Sequence, residues 1–299
     1  MDKPVIHGWS IDVEDWFHIL EYDGAPDPAA WRQQERRVHI GTQRMLDALD
    51  LRGVKATFFV LGWIAEVAPD LVAEIARRGH DVGSHGHLHR LLQHLGPDEF
   101  ARDLDLSLAA LSRAAQRDIT CFRAPGFSLS PRETWALPIL ASRGITLDSS
   151  LFLTDRAHGG FALDRSRPFD IVLGDGRTLL EVPVVPLRVG NQRLAFSGGG
   201  YLRILPKPAL QVAFQACELR RTPAIVYLHP RELDPDQPRM PLPWKRRLKY
   251  YVGLDGVADK VAMLLDRFRF GTLAQVAAST PRDLPLVVED GAWQREGQT

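Results

Sequence analysis

Cysteine, net charge and long apolar runs are what this sequence has little of. Only Cys121 and Cys217 are present, too few for a disulfide framework and in no zinc-binding spacing. A reducing compartment is therefore permitted. Lys and Arg total 37 and are matched by 37 Asp and Glu. No basic excess exists to displace counterions from nucleic-acid phosphates, so nucleic acid is not expected as a partner. Disorder is not expected either, because 45% hydrophobic residues with balanced charge can bury enough apolar surface to offset chain entropy. No stretch approaches the roughly 20 uninterrupted apolar residues of a membrane helix. The opening MDKPVIHGWSIDVED lacks the apolar core of a signal peptide and meets acids early. A soluble cytoplasmic protein is the expectation, and 299 residues allow two small domains or one large barrel-like α/β domain.

What is there is an alternation of short apolar runs with amphipathic stretches. Strands are expected at 5–11, 56–61 (ATFFVL), 81–84, 119–123, 145–147, 179–185 and 224–228. Helices are expected at 42–51, capped by Thr42 and stopped by Gly53, and at 69–78, with Pro69 at the start and Gly79 at the end. Two more are expected at 97–115, with Phe100, Leu104, Leu108 and Leu111 on one face, and at 131–143. Residues 154–175 read as an irregular loop, Gly198–Gly200 as a tight loop, and the tail after Pro281 loses its pattern, with WQREGQT expected to fray. The β-α-β-α order argues for a mostly parallel sheet covered by helices. Reactive residues then fall at the C-terminal ends of four strands, where α/β barrels place their chemistry.

The strongest chemical signal is HGHLH. His85 and His89, four apart, are expected on one face of a helical turn, where both imidazoles can reach one ion. The bland alternative is a pair of structural histidines. His87, between them, is expected to point elsewhere. Asp12, Glu14 and Asp15 follow the first strand, and like charges so close repel unless something positive sits among them. They supply the carboxylate that completes a metal site; an exposed acidic turn is the competing reading. Arg123 before a turn and His229 at a strand end are further candidates, the latter as general acid or base. A surface arginine and a satisfied core histidine are the alternatives.

These segments, in this order, resemble the polysaccharide deacetylases of the NodB-homology type, carbohydrate esterase family four. SIDVED resembles the first motif, HGHLH the histidine metal motif with Gly86 in place of Ser or Thr, and RAPGF the arginine motif with one extra residue. LDSS resembles the fourth motif, and YLHP the final leucine-histidine motif. DVEDWFH, DSSLF, FSGGGYLRILP and LHPREL resemble the subgroup found with bacterial exopolysaccharide and exosortase systems. The resemblance implies a distorted (β/α) barrel of about seven parallel strands. It implies a single domain over 1–299, with a family-specific extension at roughly 230–299.

The implied reaction is hydrolysis of N-acetyl groups from amino sugars of a polysaccharide or its precursor. His85, His89 and either Glu14 or Asp15 would hold a divalent metal, Zn2+ by ligand type, with Co2+, Ni2+ or Mn2+ as alternatives. Strand alternation favours Glu14, and a turn after Val13 would favour Asp15. Asp12 would be the base, Arg123 its partner, and His229 the acid. A backbone N–H near Gly126 or Phe127 would meet the oxyanion. Trp16, Pro125, Gly126, Phe127 and Leu228 are expected to contact substrate, with Leu228 at the acetyl methyl. An allantoinase-like hydrolase of cyclic amides, a silent glycan-binding module and an ordinary α/β domain with structural histidines are the competing readings. The polysaccharide assembly machinery, met at the inner membrane face, is an expected partner. The basic stretch 245–249 reads as a solvated helix face.

Overall fold

The computed structural model describes residues 4–155, 158–289 and 292–294. The first half runs β1 (His7–Val13), α1 (Val38–Asp50), β2 (Thr57–Val60), α2 (Gly62–Val67), α3 (Pro69–Arg77), β3 (Asp81–Ser84), α4 (Pro97–Ala115), β4 (Cys121–Phe122), α5 (Ala136–Ser142) and β5 (Leu147–Asp148). It continues with β6 (Phe169–Leu173), β7 (Thr178–Glu181), the hairpin β8 (Leu187–Val189) and β9 (Gln192–Leu194), α6 (Gly199–Ile204), α7 (Lys207–Leu219) and β10 (Ile225–Leu228). The chain ends with α8 (Trp244–Tyr251), α9 (Val257–Arg267), β11 (Phe270–Gly271), α10 (Leu273–Ser279), β12 (Leu286–Glu289) and β13 (Ala292–Trp293).

Seven neighbouring strands, in the order β10-β1-β2-β3-β4-β5-β7, are all parallel. This is the expected distorted (β/α) barrel. Past β7 the sheet runs on through antiparallel β6, then β12 and β13. The only link back to β10 from the β7 side, among the described residues, is one parallel bridge between Gly198 and Tyr227.

Strand alternation sorts the side chains. On β1, Trp9, Ile11 and Val13 join Phe58, Val60, Val226 and Leu228 in the core beneath the helices. Phe59, Cys121, Ile225 and Tyr227 pack in a separate cluster on the other face. Ser10 and Asp12, of opposite parity to Trp9 and Ile11, reach that face, where Arg123 bonds both. Cys121 and Cys217 are buried and unpaired with each other.

Several expectations change. The first helix begins at Val38, and Thr42 is not its cap: its hydroxyl donates back to Val38 O within the helix. The helix in 131–143 is confined to Ala136–Ser142. Residues 154–175 contain β6, and the glycines of SGGGY open α6 rather than forming a loop. The tail regains order because β12 pairs with β6, and Gln294 N–H bonds Val287 O; residues 295–299 lie outside the described part. Residues beyond 230 thus add β11 to β1 and β12 to β6. The 3-10 turn Pro230–Leu233 crosses α1 so closely that a Cβ on Gly41 would lie 1.8 Å from Pro230 O. Among the described residues no helix is long and apolar enough to cross a membrane.

Candidate metal and catalytic site

Asp12 and Arg123 meet in the barrel. Arg123 is fully buried, and its Nη1 donates to Asp12 Oδ1 and to Ser10 Oγ, both at 2.8 Å. Its Nε and Nη2 donate to Ser149 O and Ser149 Oγ. Its guanidinium lies 4.3 Å from the Phe59 ring centre and 5.0 Å from that of Phe127. The LDSS segment therefore acts as a clamp: Ser149 holds the guanidinium, and Ser150 accepts the Ala124 N–H.

HGHLH does not form a helical turn. Gly86 (φ 74°) and His89 (φ 52°) are left-handed, and the loop folds the two rings to 5.3 Å between centres. The loop is pinned by α4, where buried Asp103 accepts the His87 and Leu88 N–H groups and Ser107 donates to Gly86 O. Ser84 Oγ accepts the Gly86 N–H. These contacts take the place of the hydroxyl that Gly86 lacks. A Cβ at 86 would stand 3.1 Å from Asp103 Oδ2, on a backbone that favours glycine anyway. His87 turns toward α2, its Nδ1 2.5 Å from where a Gly62 Cβ would stand.

Glu14, His85 and His89 each offer a ligand atom within 4.8 Å of the others, and all three are buried. Asp15 is turned away: its carboxylate accepts the Trp16, Arg37 and Val38 N–H groups, tying the turn to the start of α1. Burial raises its pKa against these donors. The cluster's donor chemistry fits a divalent ion. Glu14 Oε2 is buried with no hydrogen-bond partner among the described residues. His85 Nδ1 lies 2.8 Å from Arg123 O, so it carries the proton and leaves the Nε2 lone pair free. Burial lowers both histidines, His89 to about 4, which favours the neutral ligand form. Burial opposes the Glu14 charge, but His89, His229 and Arg231 outweigh it and hold the carboxyl well below the usual range.

His229 follows β10. Its Nε2 lies 2.9 Å from Glu14 Oε1 and its Nδ1 3.0 Å from Glu232 Oε2. Burial and Arg231 oppose its protonation, yet Glu232 and Glu14 outweigh them and raise it to about 9. Glu232 is itself held by Arg203 Nη1 at 2.7 Å and, despite burial, brought down to about 2 by His229, Arg203 and Arg231.

A cavity of about 110 Å³ joins these groups; Asp12, Glu14, His85, His89, Gly126, Phe127 and His229 line it. A larger one of about 530 Å³ holds none of them. Trp16, Pro125 and Leu228 do not reach the catalytic cavity's wall. Leu228 faces the helices by alternation and Tyr227 lines the cavity instead, while the Trp16 indole N–H is bonded to Glu35 O. The Phe127 N–H is spent on Ala124 O, which leaves Gly126 as the backbone donor of that pair. Sequence reasoning missed His18, Arg231, Glu232 and Tyr250. Glu232, three residues after His229 across a proline turn, carried a readable capping signal.

Comparison with known proteins finds polysaccharide deacetylases among those similar to this chain. Residues 29–142 match the polysaccharide deacetylase family model, and residues 149–278 match a domain of unknown function, DUF3473. A peptidoglycan-N-acetylglucosamine deacetylase of Bacillus cereus is 36% identical over 96 residues, 32% of this chain and 35% of that one. A chitooligosaccharide deacetylase of Sinorhizobium fredii is 29% identical over 107 residues, 36% of this chain and 45% of that one. The matched part is thus about a third to a half of these relatives' length. In fold, a Mycobacterium smegmatis structure described as a polysaccharide deacetylase superposes with a TM-score of 0.61 at 22% identity, over 95% of this chain and 96% of that one. Residues 29–142 are thus similar to the polysaccharide deacetylases, and the chain as a whole shares the fold of the Mycobacterium smegmatis protein.

Proposed function

We propose that this protein is a metal-dependent hydrolase that removes N-acetyl groups from amino sugars of a polysaccharide or its precursor. The observation that carries the reading is the convergence of Asp12–Arg123, Glu14–His85–His89 and His229 on one small cavity.

Glu14, His85 and His89 would hold the ion, zinc by donor set. When bound, it would activate water and polarise the acetyl carbonyl. Arg123 engages Asp12 Oδ1 and leaves Oδ2 to take the proton of the attacking water as general base. Four hydrogen bonds fix Arg123, so the orientation of Asp12 is built in before substrate arrives. The Gly126 N–H donates to the oxygen that becomes negative. His229, held between Glu14 and Glu232, delivers a proton to the leaving amine. Phe127 and Gly126 are the substrate-contacting residues that the cavity supports; Trp16, Pro125 and Leu228 serve packing around it.

We further take the chain as one NodB-type domain with an extension from about residue 230, which supplies Arg231 and Tyr250 to the cavity. The motif resemblance supports a role beside exopolysaccharide assembly. Acetate release from a panel of N-acetylated oligosaccharides, with and without chelator, tests the reading. Release that chelation stops and divalent metal restores is expected. Oligosaccharide binding without release, or turnover of small cyclic amides alone, would overturn it.

A further inference from the structure

His18 belongs to the DVEDWFH segment and has no role in the mechanism above. Its surface is only 3% exposed, yet it lines the catalytic cavity, and its ring centre is 6.1 Å from that of His89. Its Nδ1 accepts the Asp15 N–H at 2.9 Å. A ring nitrogen that accepts carries no hydrogen, so the hydrogen of this imidazole sits on Nε2. That Nε2 is buried and has no partner among the described residues.

His85 shows the opposite setting. Its Nδ1 faces a backbone carbonyl oxygen, Arg123 O, so its Nε2 presents a lone pair, as a metal ligand must. His18 faces a backbone N–H and presents a hydrogen. Two histidines on one cavity are thus set by their backbone partners to opposite tasks, ligand and donor. His18 is also held rigidly. Its ring packs edge-on against Phe17, Trp31 and Trp63 at 4.5, 4.3 and 5.4 Å. Asp15, whose N–H sets the tautomer, is anchored through its carboxylate to the start of α1.

We propose that His18 is a further catalytic residue, whose Nε2–H donates a hydrogen bond to the acyl oxygen of the bound N-acetyl group as that oxygen becomes negative. The proposal rests on the deacetylase reading. A desolvated, immobilised donor that no atom of the described residues satisfies is the arrangement that stabilises developing charge without reorganisation cost. With the Gly126 N–H it gives the acyl oxygen two protein donors. The assignment also gives Asp15 its place: it is the residue that orients the donor, not a ligand.

His18→Phe keeps the ring's bulk and removes the donor; His18→Gln offers an amide N–H in its place. Both are measured beside the wild-type protein for metal content, kcat and KM. The expected result is unchanged metal content, a kcat lowered by roughly 10²-fold in His18→Phe with KM near wild type, and partial recovery in His18→Gln. Loss of metal from His18→Phe would make His18 a ligand, and a raised KM with unchanged kcat would make it a ground-state sugar contact; either overturns the proposal. Histidine-selective 15N NMR on the metal-loaded wild-type protein reads the tautomer without any substrate. Protonated Nε2 with unprotonated Nδ1 supports the assignment, and the reverse overturns it. If the wild-type protein releases no acetate at all, the deacetylase reading fails and takes the acyl-oxygen role with it. The tautomer measurement tells that failure apart from an error about His18.

Discussion

Asp12 and Glu14, and Asp148 and Glu181, are two pairs of carboxyl groups with at most 2% of their surface exposed. Both feel the charge of Arg123: Asp12 is bonded to it, and its field lowers Glu181. The first pair is answered by cations. Arg123 bonds Asp12, while His229 and Arg231 lie 2.9 and 3.6 Å from Glu14. The second pair faces itself across β5 and β7, where Asp148 and Glu181 are direct register partners. From its surroundings it receives the Ser150 hydroxyl and the Leu151 N–H, and the Ser149 and Ser150 backbone N–H groups also act on Asp148. Among the described residues Asp148 Oδ2 and Glu181 Oε2 have no other donor, so a proton retained on one of them joins the two. Burial raises Asp148 to about 6 and Glu181 well above its usual value, Asp148 adding to the latter. A buried carboxylate answered by cations is available for chemistry. One answered by a shared proton is structure.

Amide substitutions should split the two pairs. Glu14→Gln removes a ligand oxygen charge and is expected to lower metal affinity by more than the roughly 10–100-fold typical of outer-shell changes, with activity falling alongside. Asp148→Asn should leave metal content unchanged, as metal analysis of both purified variants would reveal. A smaller loss is expected for Glu232→Gln, which weakens the hold on His229 Nδ1. About tenfold in kcat with metal retained is predicted, and unchanged kcat would remove Glu232 from the account. The smallest effect concerns stability. The folded values of both acids lie above their unfolded ones, so their contribution is complete below about pH 4; Asp148's part is lost as pH rises through about 6 and Glu181's at higher pH. Glu181→Gln should therefore gain on the wild type by roughly 1–3 kcal/mol between pH 5 and 8 in denaturant titrations. A difference that stays flat with pH would mean that the two acids do not share a proton.

Much of the first pair's setting was legible in the sequence. Strand runs, proline-started helices and the reactive residues at strand ends reflect local periodicity and could be read directly, and alternation along β1 favours Glu14. The second pair was not legible, because Asp148 and Glu181 are 33 positions apart and meet only through a strand register. The same holds for β6 and β12, whose pairing joins segments that each read as irregular. The HGHLH loop defeated the spacing argument for another reason. Asp103 and Ser107, far along in α4, fix a left-handed backbone that brings the two rings together without a helix. Leu228 was misplaced because its motif neighbour Tyr227, not Leu228 itself, points inward.

Asp12→Asn, assayed for metal content and acetate turnover in one preparation, bears most directly on the claim that a cation-held Asp12 does the chemistry. Metal content equal to wild type and turnover lower by roughly 10²–10⁴-fold are expected. Turnover near wild type would contradict that claim.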